Sequence, residues 1–206
     1  MVPGGLLVVF EGIDGAGKST QIERLATLCR ARGLECVASR EPTWGQYGRQ
    51  LRESASHGRL GAREEHRLLL LDRREHLDTL ILSALGRSAV VLLDRYYFSS
   101  VAYQSGAELS AEQILADNQA FARAPDLLLL LDLPAPIGLA RIGQRGARDA
   151  FESLATLEHC RAVYRSFATL DYARLIDAQA DPETVAGAVA SAFLETLAKH
   201  QEQAGG

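Results

Sequence analysis

A short segment near the N-terminus has the residue types and spacing that hold the phosphates of a nucleotide. Residues 12–19 read GIDGAGKS and fit the pattern GxxxxGK[ST] at every fixed position. Glycines let the backbone turn tightly and aim its N–H groups at phosphate oxygens. We expect Lys18 to reach the β- and γ-phosphates and the Ser19 hydroxyl to bind Mg²⁺. The segment therefore predicts a site for a nucleoside triphosphate with magnesium.

The residues on either side form the elements that such a loop needs. Residues 6–10 are an apolar run typical of a buried strand, and apolar residues recur at helical spacing over 19–32. The helix would present its N-terminus to the phosphates, where negative charge is favoured. A glycine-rich turn that carries a lysine by chance is the alternative, which the agreement of strand, motif and helix disfavours. The residues expected to bind ATP are Gly12, Ile13, Asp14, Gly15, Ala16, Gly17, Lys18, Ser19 and Thr20.

The loop alone does not separate kinases from other nucleotide-binding proteins, because GTPases, motor ATPases and transporters share it. The sequence contains no NKxD segment of the kind that reads guanine, and no long insertion of the kind found in motors. A chain of 206 residues is the length of one domain. These features favour a small kinase.

Strand and helix patterns alternate along the chain and predict an α/β fold. The predicted strands are 6–10, 35–39, 89–93, 127–131 and 173–176. The predicted helices are 19–32, 48–55, 64–85, 97–104, 110–122, 136–144, 151–170 and 182–200, followed by a disordered tail over 201–206. Such an order indicates one P-loop NTPase domain over 1–206, a three-layer sandwich whose five-stranded parallel sheet has helices on both faces. Ligands of such sheets bind beyond the carboxyl ends of the strands.

Composition excludes several other classes of protein. The net charge of −4 disfavours a general binder of nucleic-acid polymers, which is usually basic. The three cysteines match no zinc or CxxC spacing, and no apolar run reaches the roughly 18 residues of a membrane span. We expect a cytoplasmic protein whose partners are small-molecule nucleotides.

Four segments resemble the thymidylate kinase family of nucleoside monophosphate kinases, and the resemblance runs from residue 6 to about residue 185. The segments are FEGIDGAGKST at 10–20, Arg40-Glu41-Pro42, Asp72-Arg73 with His76, and DRY at 94–96 followed by SSVAYQ at 99–104. The resemblance implies in-line transfer of the γ-phosphoryl group from MgATP to the 5′-phosphate of dTMP, giving dTDP for dTTP biosynthesis. It also implies a homodimer.

The two residues that end the third strand would serve the phosphates and the metal. Asp94 lies where a carboxylate can hold Mg²⁺, directly or through water, although a buried structural carboxylate is the alternative. Arg95 would bridge the acceptor and donor phosphates, because its forked N–H groups suit phosphate oxygens. An arginine that only forms a salt bridge is the alternative there.

The resemblance also assigns residues to the sugar and phosphate of the acceptor. Asp14 matches the family carboxylate that contacts the sugar 3′-hydroxyl, and Arg40 matches a residue near the acceptor phosphate. Tyr103 matches the tyrosine whose ring crowds the 2′ position and favours deoxyribose. An aromatic residue in a helix would more often belong to the core.

A third group of residues matches the positions around the acceptor base. Arg73 matches the arginine that hydrogen-bonds thymine, with a surface arginine on a helix as the alternative. Ser100 and Gln104 match polar residues near the base. Leu69 stands where the family usually has a phenylalanine stacked on thymine, and so gives up a stacking contribution on the order of 1 kcal/mol.

Residues 138–152 resemble the family's lid, an arginine-rich segment with glycines that closes over the triphosphate. One subgroup of the family carries a catalytic arginine within the loop, and another has glycine there and uses lid arginines. Gly15 occupies that position here, so the lid is expected to supply the charge; a solvated basic loop is the alternative. The residues expected to act in catalysis are Lys18, Arg95, Arg141, Arg145 and Arg148.

Departures from the family pattern keep other functions open. Besides Leu69, Trp44 stands in a loop that is usually Gly-Gly-Thr-Pro, and Ala150 replaces a lid arginine. Leu69 and Trp44 leave open a kinase that acts on a different nucleotide or nucleoside. Ala150 leaves open an ATP-binding regulatory protein that has lost catalysis, an interpretation that the intact Lys18 and Arg95 oppose.

Overall fold

A computed structural model of the chain describes residues 2, 4–57, 60–143 and 154–204. Its centre is a sheet of five parallel strands in the order β2-β3-β1-β4-β5. The strands are β1 Leu6–Glu11, β2 Cys36–Arg40, β3 Val90–Asp94, β4 Leu127–Asp132 and β5 Ala173–Asp177. Each lies within one residue of its predicted ends. The predicted α/β fold class is confirmed.

Helices surround this sheet. They are α1 Lys18–Ala31, α2 Gln46–His57, α3 Ala62–His76, α4 Leu82–Gly86, α5 Tyr97–Gln104, α6 Ala111–Gln119, α7 Ala135–Gly143, α8 Leu154–Ser166 and α9 Pro182–Ala204. A π-helical turn, Leu77–Ile81, joins α3 to α4, so the single helix predicted over 64–85 is one helical rod with a locally wider turn. Ser110 caps α6 as its side chain accepts from the N–H of Gln113, at 3.2 Å.

Three predicted helices end three or more residues from their predicted C-terminal ends. The helix predicted over 110–122 stops at Gln119. The prediction of one helix over 151–170 is wrong at its C-terminal end, because α8 stops at Ser166 and a 3₁₀ turn follows at Phe167–Thr169. The last helix was expected to stop at residue 200 before a disordered tail. It continues to Ala204, so residues 201–204 are helical. No helix among the described residues is long and apolar enough to cross a membrane.

The central strands are buried because helices cover the sheet on both faces. Every residue of β1 and β3 is buried, and their apolar side chains belong to the hydrophobic core. The register places Phe10, Asp94 and Arg40 in one row across β1, β3 and β2. The segments that follow these three strands therefore lie side by side at one edge of the sheet.

Candidate active site

The glycines of the loop after β1 adopt backbone conformations that other residues rarely take. Gly12, Gly15 and Gly17 have φ angles of 144°, 82° and 92°. A Cβ on Gly12 would lie 2.6 Å from the carbonyl oxygen of Leu131 in β4. The loop therefore turns between two strands and leads directly into α1, whose N-terminus Gly17 begins. The strand, the loop and the helix thus follow one another as the motif predicts, and the binding of phosphate by the loop stays a prediction.

Lys18 is folded back against its own loop. Its Nζ donates to the carbonyl oxygens of Gly12, at 2.9 Å, and Ile13, at 3.1 Å, and lies 3.9 Å from the Asp14 carboxylate. Burial, and then the positive charge of Arg95, lower the pKa of Lys18. Phosphate oxygens at the loop would give this buried ammonium a second charged partner besides Asp14.

Ser19 and Asp94 meet at the same edge. The Ser19 hydroxyl donates to Oδ2 of Asp94 at 3.1 Å, while Oδ1 of Asp94 is buried and has no partner in the described structure. An unpartnered carboxylate oxygen beside a hydroxyl fits a hard cation such as Mg²⁺. The described residues contain no cluster of three or more metal-binding His, Cys, Asp or Glu side chains. Such a sparse protein set suits Mg²⁺, which keeps waters and shares phosphate oxygens with a substrate.

Hydrogen bonds at both ends of its guanidinium hold Arg95 at the centre of the site. One nitrogen, NH1, donates to the hydroxyls of Ser99 and Tyr164, at 3.1 and 3.2 Å. The other, NH2, donates to Oδ1 of Asp14 and faces the Tyr103 hydroxyl at 3.4 Å. The backbone of Arg95 has a φ of 71°, which is unusual for a residue with a side chain. A strained conformation at the end of a strand is common at functional sites.

Glu11 lies beneath this arginine and is completely buried. Its Oε1 accepts from the backbone N–H groups of Tyr96 and Ser99, and its Oε2 accepts from the Ser99 hydroxyl at 2.7 Å. It thus caps the N-terminus of α5. Burial raises the pKa of Glu11, and the positive charge of Arg95 opposes that rise.

Arg73 is buried, with only 1% of its surface exposed, so the alternative of a surface helix arginine is wrong. Its Nε donates to Glu41 at 2.8 Å, NH1 to Oδ1 of Asn118, and NH2 to the Ser100 hydroxyl at 3.3 Å. Its guanidinium also lies 5.2 Å from the ring centre of Tyr96. These contacts fix the plane of the guanidinium next to α5.

One face of α3 holds the loop after β2 in place. Asp72 accepts from the backbone N–H and the hydroxyl of Thr43, at 2.8 and 2.6 Å. His76 is 3.0 Å from Oε1 of Glu41 and 2.8 Å from the Ser39 hydroxyl. These bonds tie Ser39, Glu41 and Thr43, which flank the predicted acceptor residue Arg40, to α3, so that the loop after β2 and α3 form one unit.

The remaining predicted acceptor residues lie around this unit. Ser100 is buried, and Gln104 is partly buried with an Oε1 that is enclosed and has no partner in the described structure. Leu69 is partly buried on α3, one turn before Arg73. Arg40 is exposed and lines the same cleft as the phosphate-binding loop.

Comparison with known proteins identifies the family. Residues 10–189 match the family model for thymidylate kinase. This chain belongs to the thymidylate kinase family. A thymidylate kinase of Xanthomonas euvesicatoria pv. vesicatoria (strain 85-10) is 54% identical over 186 residues, which are 89% of this chain and 80% of that protein. A thymidylate kinase of Akkermansia muciniphila is 51% identical over 189 residues, 92% of this chain and 91% of that protein. The family resemblance and the predicted phosphotransferase class are confirmed.

Of the segment that resembles the lid of the thymidylate kinase family, the structure describes only the first part, up to residue 143. Arg141 lies in α7, and its NH1 donates to the carbonyl oxygens of Gly15 and Ala178, at 3.1 and 3.4 Å. It therefore lies between the phosphate-binding loop and the loop after β5. Arg145, Arg148 and Ala150 lie outside the described residues, and their roles stay predictions.

Trp44, a departure from the thymidylate kinase pattern, does not pack into the site. Its side chain is 67% exposed, and the guanidinium of Arg52 lies 3.9 Å from its ring centre. Arg52 also donates to the carbonyl oxygens of Pro42, at 3.0 Å, and Thr43. Trp44 and Arg52 thus pack against each other on the outside of the loop after β2 and stabilise it.

Several residues of this thymidylate kinase site were missed by sequence reasoning. Tyr164 comes from α8 and Asn118 from α6, and neither lies in a recognised motif. Glu11 and Ser99 lie inside quoted motifs but were given no role. The signal that could have found Asn118 is a polar residue four positions after Ile114 on the apolar face of α6, and for Glu11 it is a charged residue that ends an apolar strand.

Proposed function

We propose that the chain transfers the γ-phosphoryl group of MgATP to the 5′-phosphate of dTMP and gives dTDP. Membership of the thymidylate kinase family and the names of its relatives support this reaction. The observation that carries it is one cleft, about 120 Å³ in volume, that joins the phosphate-binding loop to Arg40, Asp94 and Arg95. Donor and acceptor phosphates can lie in that cleft together.

The charges of this cleft suit direct transfer without a covalent enzyme intermediate. Lys18 and Arg95 offer N–H donors to oxygens whose charge spreads as the phosphoryl group moves. Arg40, which lines the same cleft, would bind the acceptor phosphate. Arg141, Arg145 and Arg148 would add charge when the lid closes and would exclude water.

Ser19 and Asp94 are the residues that would hold Mg²⁺ at the donor phosphates. The ion would neutralise phosphate charge and orient the γ-phosphoryl group. Asp94 would offer its buried Oδ1 to the ion, and Ser19 would offer the hydroxyl that now donates to Oδ2 of Asp94.

The acceptor nucleoside would lie between α3 and α5. Glu41 and Asn118 hold Arg73 so that its guanidinium can donate to a carbonyl of thymine, and Ser100 and Gln104 border the same region. Asp14 would accept from the sugar 3′-hydroxyl, while the ring of Tyr103 would fill the space of a 2′-hydroxyl. Leu69 would pack against the base in place of an aromatic ring.

The decisive experiment measures ADP production with MgATP and a panel of acceptors that includes dTMP, dUMP, UMP and dGMP. Lys18→Ala serves as the blank, because it removes the ammonium that contacts the donor phosphates. A preference for dTMP that the blank abolishes supports the proposal. Turnover of another acceptor instead would overturn the dTMP assignment, and ATP binding without turnover of any acceptor would favour a regulatory protein.

We also propose that the chain forms a homodimer in the cytoplasm, on family resemblance alone. In the Leu68–Leu71 run of α3, Leu68 is buried and belongs to the interior, whereas the next three leucines are partly exposed. Sedimentation at several protein concentrations tests the dimer.

A further inference from the structure

Tyr164 contacts the central arginine of the site from a helix outside the recognised motifs. It lies in α8, the helix that follows the lid segment, and only 3% of its surface is exposed. Its hydroxyl is 3.2 Å from NH1 of Arg95 and 2.8 Å from the Ser99 hydroxyl. A buried hydroxyl that is hydrogen-bonded to a charged group so close to the phosphate-binding loop is expected to have a role in the site.

The direction of each hydrogen bond in this group follows from its chemistry. The Ser99 hydroxyl donates its one proton to Glu11, whose carboxylate only accepts when ionised. Ser99 must then accept from Tyr164, and Tyr164 must accept from NH1 of Arg95. The chain of hydrogen bonds therefore runs from Arg95 through Tyr164 and Ser99 and ends at the buried Glu11 carboxylate. A fully satisfied buried network of this kind is rigid.

The two ends of the Arg95 guanidinium therefore differ in what holds them. NH1 is bound by Tyr164, which is buried, and by Ser99, which is partly buried, and neither of them lines the cleft. NH2 points to Asp14, which lines the cleft, and to Tyr103. A phosphate oxygen that enters the cleft can replace Asp14 on NH2 and leave the bonds of NH1 intact.

We propose that Tyr164 is a positioning residue for phosphoryl transfer, which anchors NH1 of Arg95 so that NH2 is presented to the transferring phosphate. The proposal rests on the proposed kinase function. Ser99, in α5, has the same role of anchoring NH1, and Glu11 accepts the last hydrogen bond of the chain. The proposal also links α8, which follows the lid in the chain, to the residue that contacts the phosphates.

The first test replaces Tyr164 by phenylalanine, which keeps the ring and removes only the hydroxyl. With dTMP and MgATP as substrates, we expect Tyr164→Phe to lower kcat about 10-fold while KM for ATP changes less than about twofold. Tyr172→Phe is the matched control, because Tyr172 packs against the core, outside the cleft, and should leave kcat unchanged. An unchanged kcat in Tyr164→Phe, with normal melting temperature, would overturn the proposal.

A double-mutant cycle separates positioning from a general structural effect. If Tyr164 acts through Arg95, then Tyr164→Phe should add no further loss of kcat in an Arg95→Ala background. An additional loss of the same size there would show that Tyr164 acts by another route and would refute the proposal. Failure of wild-type protein to turn over dTMP would instead count against the proposed function. In that case the same cycle is run with whichever acceptor the panel identifies.

Discussion

Gly15 of the phosphate-binding loop and Gly138 of α7 contact each other backbone to backbone. A Cβ on Gly15 would lie 2.7 Å from the carbonyl oxygen of Gly138, and Gly15 itself has a φ of 82°. No side chain fits at position 15, so an arginine of the kind found in the other subgroup of the family is excluded here. The contact also places α7, with Arg141, directly against the loop.

The first prediction is that Gly138→Ala disturbs the phosphate-binding loop. The new Cβ would lie 2.8 Å from both the carbonyl oxygen of Asp14 and Cδ1 of Ile13. We expect a loss of about 1–3 kcal/mol in the free energy of unfolding and a raised KM for ATP. Gly187→Ala in α9 is the control, because no described atom outside its own helix backbone and chain neighbours lies within 4 Å of its new Cβ. Equal behaviour of the two variants in denaturation and kinetics would contradict the prediction.

The second prediction concerns the buried ion pair between Arg73 and Glu41. Arg73→Met should reduce the free energy of unfolding by about 3–5 kcal/mol, because it leaves the Glu41 carboxylate buried without its main partner. Urea denaturation measures this loss.

Arg74→Met is the control for that variant, since the neighbouring Arg74 is exposed and contacts only the ring of Phe121 in the described structure, at 4.2 Å. We expect a loss of no more than about 1 kcal/mol there. If Arg73→Met is as stable as Arg74→Met, the pair does not hold α3 to the loop after β2.

The sequence predicts the residues of this site that end or follow strands. Asp94 and Arg40 are the last residues of β3 and β2, and Lys18 begins α1 after the loop that follows β1; the parallel sheet brings these strand ends to one edge. Continuous apolar runs located the three central strands, β1, β3 and β4, because buried strands have this pattern; the edge strands β2 and β5 are partly exposed and mix apolar with polar residues.

The sequence does not predict which helix residues meet these strand ends. Tyr164 and Asn118 are 69 and 45 positions from their arginine partners, and their contacts depend on how α8 and α6 pack. Periodicity gives the face of a helix but not its partner. For the same reason, the sequence is equally consistent with a surface position for Arg73, although tertiary packing buries it.

The third prediction concerns pH and Asp132, at the end of β4. Asp132 accepts from Arg161, at 2.7 and 2.9 Å, and from Arg165, which ties β4 to α8. The bonds from Arg161, above all, lower the pKa of Asp132. Because its folded pKa lies below the unfolded value, its stabilisation is present at neutral pH and is lost as the pH falls below about 4.

Asp132→Asn should therefore lower the melting temperature at pH 7 by about 2–4 °C and by less at pH 3.5. Asp171→Asn, at an exposed position, should change neither value. If Asp132→Asn lowers the melting temperature by the same amount at both pH values, the carboxylate charge is not what ties β4 to α8.

The fourth prediction is that Ser19 and Asp94 set the magnesium requirement. Chelation of Mg²⁺ should abolish turnover, and Ser19→Ala should raise the Mg²⁺ concentration for half-maximal rate by about tenfold, because one of the two protein ligands is lost. Ser191→Ala, at an exposed position in α9, is the control. A Ser19→Ala enzyme with an unchanged Mg²⁺ dependence would place the ion elsewhere.

The fifth prediction is that Leu69→Phe improves binding of dTMP. Leu69 is partly buried one turn before Arg73, so an aromatic ring there would lie against the base that Arg73 is held to contact. Stacking contributes about 1 kcal/mol, which corresponds to a KM for dTMP about fivefold lower. Leu70→Phe, on a neighbouring face of the same helix, should leave KM unchanged. A higher KM in Leu69→Phe at normal stability would mean that the site has no room for a ring at this position and that leucine fits a base held closer to α3.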